Sequence, residues 1–118
     1  MIRLLALSSA LVFTGLPHAD DYSDVNQLLK SGKGTEALAK ADKYLADKPK
    51  DPQMRFLKGV IQTQAGNTTE AIATFTALTQ DYPELPEPYN NLAALLASQN
   101  QLDKARTALE MAIRINPG

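Results

Sequence analysis

The chain has 118 residues, 44% of them apolar, and its 12 basic and 13 acidic side chains leave a net charge of −1. This length allows at most one domain with a modest core, and the balanced charge would not gather nucleic acid phosphates. Because cysteine is absent, disulfides, thiolate nucleophiles and zinc sites that use sulfur are excluded.

The first 19 residues have the order of a secretory signal peptide. One positive charge precedes the apolar run LLALSSALVFTGL at residues 4–16, and PHAD follows with Ala19 as the small residue at a cleavage site. This run is too short to cross a bilayer core about 30 Å thick. The alternative is a buried first helix, which Pro17 would break. We therefore predict a signal peptide at 1–19 and a mature, exported chain of about residues 20–118 that has no membrane span.

The rest of the chain repeats itself with a fixed period. Residues 34 positions apart match in type, as in Gly32, Gly66 and Asn100, in Ala37, Ala71 and Ala105, and in Pro49, Pro83 and Pro117. No insertion or deletion separates the units, which run at about 18–51, 52–85 and 86–118. A period of this size is typical of stacked supersecondary units.

Apolar residues inside each unit follow helical spacing, so each unit is predicted to be two helices joined by a short turn. Asp51 followed by Pro52 has the pattern of a helix start. Gly32 and Gly66, and Asn100 in their place, would end the first helix in a left-handed conformation. The six predicted helices span 21–31, 34–48, 52–65, 68–81, 86–99 and 102–115.

These features resemble the tetratricopeptide repeat, whose units are helix–turn–helix pairs of 34 residues. The third unit matches best, with family-type residues at Tyr89, Leu92, Ala93, Ala105 and Leu109. The second unit departs from the pattern at Lys58 and Gln62, and the first departs at Asp21 and Ala41. The resemblance implies an all-α fold, a right-handed superhelical α-solenoid of three repeats.

Catalysis is not predicted for this chain. The only histidine, His18, lies in the predicted signal peptide, so a serine nucleophile would have no histidine as its base. Asp42, Asp47 and Asp51 lack the spacing and the glycine turn of a calcium loop. We therefore predict a protein that is not an enzyme, has no cofactor or metal and acts by binding a protein or peptide.

By the resemblance, the first helix of each unit lines a concave groove. The residues expected to face it are Tyr22, Asn26, Lys30, Gln53, Phe56, Val60, Gln64, Glu87, Asn90, Ala94 and Ser98. Some tetratricopeptide domains grip a chaperone's C-terminal carboxylate here with a clamp of lysine, asparagine and arginine, of which only Asn26 is present. Aromatic side chains among neutral amides instead suit an extended segment or a helix with an apolar anchor. Phe56 has an alternative role in the core, where it would compensate for Lys58.

Two functional classes remain open from the sequence. The first is a periplasmic adaptor of the bacterial envelope, and the second is a structural unit that forms oligomers or belongs to a longer envelope protein. The last predicted helix carries an apolar stripe, Ala108, Met111 and Ile115, where the first unit has Lys40, Lys43 and Asp47. This stripe predicts a homo-oligomer face, or a contact with further chain.

Overall fold

Six α-helices make up the part of the chain that the structure, a computed structural model, describes, which is residues 19–118. They are α1 (Ala19–Lys30), α2 (Gly34–Asp47), α3 (Pro52–Gln64), α4 (Thr68–Asp81), α5 (Glu87–Ser98) and α6 (Leu102–Ile115), and this part contains no strand. The predicted all-α repeat fold is confirmed, with every helix end within two residues of its predicted position. The predicted signal peptide falls almost wholly on residues 1–18, which lie outside the described residues.

The turn inside each repeat is closed by one residue with a positive φ. These residues are Gly32 (φ 76°), Gly66 (φ 81°) and Asn100 (φ 62°). In each case the next backbone amide donates to a carbonyl five residues earlier, at N–O distances of 2.8, 2.9 and 2.9 Å. This bond satisfies a carbonyl that the end of the helix leaves free. The same closure therefore sets the relation between the two helices of all three repeats.

The helix start at Asp51 is confirmed, but its counterpart one period later differs. The Asp51 carboxylate accepts a hydrogen bond of 2.9 Å from the Met54 amide, and Pro52 is the first residue of α3. The residue 34 positions further on is Leu85, whose side chain cannot accept a hydrogen bond, and α5 begins without a side-chain cap. The residue before the proline is thus apolar ahead of α5 and acidic ahead of α3.

The core consists of two clusters that follow the order of the repeats. The first joins α1, α2 and α3 through Val25, Ala37, Ala41, Met54, Leu57 and Ile61. The second joins α4, α5 and α6 through Ala71, Phe75, Leu92, Leu95, Leu96 and Ala105. Each helix packs on its neighbour in sequence, and α1 also packs on α3. The alanines that recur with the period, Ala37, Ala71 and Ala105, are all buried.

The first and second repeats use different pairs of side chains at the same crossing of their two helices. The larger side chain comes from the first helix in one repeat and from the second helix in the other. In the second repeat Phe75 is fully buried, and a Cβ atom added to Gly59 would lie 2.5 Å from its Cζ atom. The residues one period earlier are Val25 and Ala41, which are also fully buried. The first repeat thus pairs valine with alanine, and the second pairs glycine with phenylalanine. Each solution keeps the two helices close together.

The two departures from the family pattern in the second repeat are both satisfied by polar partners. Lys58 forms an ion pair of 2.8 Å with Asp42 of α2. The Thr74 hydroxyl of α4 donates a hydrogen bond of 2.6 Å to the Gln62 side-chain oxygen. Lys58 and Gln62 therefore cost the fold little, because each meets a partner where leucine or an aromatic residue would have packed.

Candidate functional site

The predicted groove residues all lie on the first helices of the repeats, α1, α3 and α5, and none of them is fully buried. Seven are exposed: Lys30, Gln53, Gln64, Glu87, Asn90, Ala94 and Ser98. The other four, Tyr22, Asn26, Phe56 and Val60, are half-buried. The structure therefore leaves this face accessible, and the role of these residues in binding stays a prediction.

The Tyr22 side chain is not isolated on this face, because it contacts Tyr44 of α2 and Asp51, the residue that caps α3. Its ring lies 5.5 Å from the Tyr44 ring of α2, measured between centroids. Its hydroxyl donates to both carboxylate oxygens of Asp51, at 2.9 and 3.0 Å, and lies 3.0 Å from the Tyr44 hydroxyl. Desolvation, followed by the hydrogen bonds with Tyr44 and Asp51, raises the pKa of Tyr22 above its ordinary value. Tyr22 therefore stabilises the first repeat.

This arrangement predicts a loss of stability at high pH that depends on Tyr22. Its pKa is higher in the folded chain than the ordinary value of 10.0, so above about pH 10 the unfolded chain has released a proton that the folded chain still holds. The contribution of Tyr22 to the free energy of unfolding is fully present below pH 10 and falls as the pH rises towards the pKa of Tyr22 in the folded chain. Other tyrosines and lysines also titrate there, so the measurement is a comparison with Tyr22→Phe.

Tyr22→Phe should lower the free energy of unfolding by about 1–2 kcal/mol at pH 7, because it removes the hydroxyl and its bonds to Asp51 and Tyr44. Urea denaturation at pH 7 and pH 10.5 measures both values. The difference between the two proteins should shrink at the higher pH. If the two proteins differed in stability by the same amount at both pH values, the pKa of Tyr22 would not be raised in the folded chain.

Phe56 contributes both to the core and to the groove. Its ring meets the buried Phe75 ring edge-on, with centroids 5.5 Å apart. Its other side lines an apolar pocket of about 270 Å³, together with Pro52, Gln53, Leu78, Leu85, Glu87 and Pro88. Phe56 therefore packs on the core and also lines an accessible pocket, and its role in binding stays a prediction. We call this cavity the Phe56 pocket.

Only three residues of the Phe56 pocket belong to the predicted groove: Gln53, Phe56 and Glu87. The prediction did not include Pro52, Leu78, Leu85 and Pro88, which the structure brings together from the start of α3, the end of α4, the loop before α5 and the start of α5. The period contains a signal for two of them, because Leu78 and Leu85 stand where the first repeat has Tyr44 and Asp51. At these two positions the first repeat thus has side chains with polar groups, and the second repeat has apolar ones.

Beyond the pocket, the groove is mostly neutral. Val60 packs partly against the second core cluster, and the predicted groove also contains the accessible amide side chains of Asn26, Gln64 and Asn90. Such amides can donate to and accept from the backbone of an extended peptide. Among the described groove residues, Lys30 and Glu87 carry the only charges, and they lie on different repeats.

The residues of the predicted oligomer face on α6 are partly covered by the chain's own helices. Ala108 is buried, Met111 and Ile115 are half-buried, and Ala108 and Met111 line an apolar furrow with residues of α4 and α5. The role of these three residues in an oligomer stays a prediction.

The exposed apolar side chains of α6 are instead Leu102, Leu109 and Ile113, at 61%, 45% and 61% exposure. Leu109 corresponds to Ala41 in the first repeat and to Phe75 in the second, and both of these residues are fully buried.

Two general properties of the described part bear on its chemistry. Within residues 19–118, no group of three or more histidine, aspartate and glutamate side chains lies close enough to hold a metal ion. The same part contains no helix that is both long and apolar enough to cross a membrane.

Comparison with known families identifies the repeat. Two family models described as tetratricopeptide repeat match residues 25–86 and 62–118. The chain belongs to the tetratricopeptide repeat family. One curated relative is the probable biofilm formation methyltransferase WspC of Pseudomonas putida, which is 29% identical over 90 residues. That match covers 76% of this tetratricopeptide chain but only 21% of the relative, so the chain spans about a fifth of WspC.

Solved tetratricopeptide structures have the same arrangement of helices. The Yersinia enterocolitica type III secretion chaperone SycD, in complex with a peptide of the translocator YopD, has a TM-score of 0.78 at 18% identity, covering 83% of this chain and 75% of SycD. YrrB, a tetratricopeptide protein with an unusual peptide-binding site, has a TM-score of 0.76 at 26% identity, covering 87% of this chain and 54% of YrrB. These similarities show the fold.

Proposed function

We propose that this tetratricopeptide chain is a non-catalytic module that binds a peptide segment or a helix of another protein in its concave groove. The observation that carries the proposal is the Phe56 pocket, an apolar cavity of about 270 Å³ with the exposed amide of Gln53 in its lining. An apolar side chain that enters such a pocket supplies most of the binding energy, and neighbouring amides hold the backbone. The peptide complex of SycD and the peptide-binding site of YrrB support this use of the fold.

Replacing Phe56 with alanine tests the proposal. A peptide selected for binding to the full chain should bind Phe56→Ala about thirtyfold more weakly, which corresponds to about 2 kcal/mol, because the substitution removes a wall of the pocket. Fluorescence anisotropy with the labelled peptide gives both dissociation constants. Circular dichroism melting, run in parallel, shows whether the variant is folded at the temperature of the titration.

The matched control is Ile113→Ala, which truncates an exposed apolar side chain on α6, away from the groove. Its affinity for the peptide should equal that of the unchanged chain. Equal affinities for all three proteins, with Phe56→Ala folded, would mean that the peptide binds elsewhere, and the proposal would be wrong.

We further propose that the module acts in the periplasm of a bacterium, as an adaptor in the cell envelope. The support is the charge and apolar run at residues 1–19, which have the order of an export signal. Mass spectrometry of the protein recovered from its native host tests this proposal. Export predicts a mature N-terminus near Asp20, and an intact N-terminus on cytoplasmic protein would refute it.

A structural role is the second candidate, and one observation favours it. Leu109 and Ile113 expose apolar surface on α6. In the first and second repeats, the following repeat packs against the second helix. A second copy, or a longer protein such as the relative WspC, would bury this surface at about 25 cal/mol per Å². Light scattering after gel filtration distinguishes the two candidates, because a self-associating unit gives a mass above that of one chain.

A further inference from the structure

The Phe56 pocket has a filled counterpart in the first repeat. The residues 34 positions before Phe56, Leu78 and Leu85 are Tyr22, Tyr44 and Asp51. These three side chains contact one another, through the ring pair of Tyr22 and Tyr44 and the hydrogen bonds of the Tyr22 hydroxyl to Asp51. In the second repeat leucine replaces the Tyr44 ring, and the space beside Phe56 is an open pocket. The first repeat therefore shows which chemical group fits this position.

We propose that the Phe56 pocket binds an aromatic side chain of the partner peptide, phenylalanine rather than tyrosine, with a basic residue next to it. This inference rests on the proposed function and names the partner's chemistry. The pocket is large enough, since an engineered apolar cavity of about 150 Å³ already binds benzene and this one has about 270 Å³. A ligand ring would lie against Phe56 as the Tyr44 ring lies against Tyr22.

The preference for phenylalanine follows from the lining of the pocket. In the first repeat the Tyr44 hydroxyl, the counterpart of a hydroxyl on the ligand ring, lies 3.0 Å from the Tyr22 hydroxyl, which in turn donates to the Asp51 carboxylate. The second repeat lacks both polar groups, because Phe56 has no hydroxyl and Leu85 stands in place of Asp51. The polar lining side chains, Gln53 and Glu87, are exposed at the rim. A tyrosine hydroxyl inside the pocket would lose water without gaining a partner, which costs about a factor of ten in affinity.

The preference for a neighbouring basic residue follows from the charge around the rim. Glu84 and Glu87 are both exposed, and neither takes part in an ion pair within residues 19–118. Asp81 is paired with both Arg55, at 2.8 Å, and Lys50, at 3.4 Å, so this group carries one surplus positive charge. Glu87 on the rim and Glu84 three residues before it carry two negative charges. The net charge of these five residues is therefore −1, and it attracts lysine or arginine and repels aspartate or glutamate.

A display library of random dodecapeptides, selected on the full chain, tests the inference. We expect enriched peptides to carry phenylalanine next to lysine or arginine and to lose binding to Phe56→Ala. Enriched peptides that need Phe56 but carry no aromatic residue would overturn the inference and leave the proposed function intact. A library that yields no peptide dependent on Phe56 would overturn both.

Two variants then test the two halves of the inference on one selected peptide and its single-residue derivatives. Leu85→Asp introduces into the pocket a carboxylate acceptor like that of Asp51 in the first repeat. The affinity for the phenylalanine peptide, divided by the affinity for the tyrosine peptide, should therefore fall by about tenfold or more. Glu87→Lys should weaken the peptide with the basic neighbour by about fivefold at low salt and strengthen its glutamate derivative. An unchanged affinity ratio for a folded Leu85→Asp, or an unchanged charge preference for Glu87→Lys, would refute the corresponding half.

Discussion

Replacing Phe75 with alanine is expected to lower the free energy of unfolding by about 3–5 kcal/mol. The ring is fully buried in the second core cluster, between the backbone of α3 at Gly59 and the edge of Phe56. The helices on both sides are fixed by their turns, so they cannot close completely over the cavity. Small domains have a total stability of about 5–15 kcal/mol, so urea denaturation followed by circular dichroism should show the loss clearly.

Leu109→Ala is the matched control, because Leu109 occupies the same position in the third repeat. Leu109 is 45% exposed, so its truncation removes less buried surface and leaves no closed cavity. The expected loss is below about 1.5 kcal/mol. If the two variants lost equal stability, Phe75 would not be the centre of the second cluster, and the packing described for Gly59 would be wrong.

The elements of this fold could be predicted from the sequence because they depend on local chemistry that recurs with the period. Asp51 begins a helix because its carboxylate reaches an amide three residues later. Gly32, Gly66 and Asn100 end helices because they accept a positive φ. These interactions involve residues at most five positions apart, and three copies in phase reinforce each prediction.

The site was predicted less completely, because side chains that meet there are separated by 19 to 36 positions in the chain. The period indicates that Tyr22 and Phe56 share a helix face, but it does not show that Tyr22 bonds to Asp51 or that Phe56 leans on Phe75. The same limit applies to the predicted apolar stripe on α6. Ala108 and Met111 differ from their polar counterparts because they line the furrow with α4 and α5, and residue type alone does not distinguish that furrow from a free surface.

Comparison of the repeats also indicates how one scaffold yields different surfaces. The first repeat fills the position of the Phe56 pocket with a hydrogen-bonded group of two tyrosines and an aspartate. The second repeat has apolar residues at all three positions and keeps a pocket there. The backbone closures are the same in both repeats. Three side chains therefore distinguish the two surfaces, and the proposed preference for phenylalanine depends on one of them, Leu85.

The second large effect is expected from Gly59→Val, whose sign should depend on residue 75. In the unchanged chain the new side chain would collide with Phe75, because the Cβ position already lies 2.5 to 2.8 Å from three ring atoms. Overpacking of this kind costs about 1–3 kcal/mol, and the better helix propensity of valine offsets about 0.5 kcal/mol of that. We therefore expect a net loss of about 2 kcal/mol in urea denaturation.

In the Phe75→Ala background the same substitution should instead stabilise the protein by about 1–2 kcal/mol. The valine methyl groups would enter the space that the ring has left, each buried methyl contributing about 0.8 kcal/mol, and the pair would become the Val25 and Ala41 pair of the first repeat, which is fully buried there. The coupling energy between the two sites would then be about 3 kcal/mol, at the upper end for residues in contact. Additive effects, with valine costing the same in both backgrounds, would show that Gly59 is glycine for a reason other than the Phe75 ring.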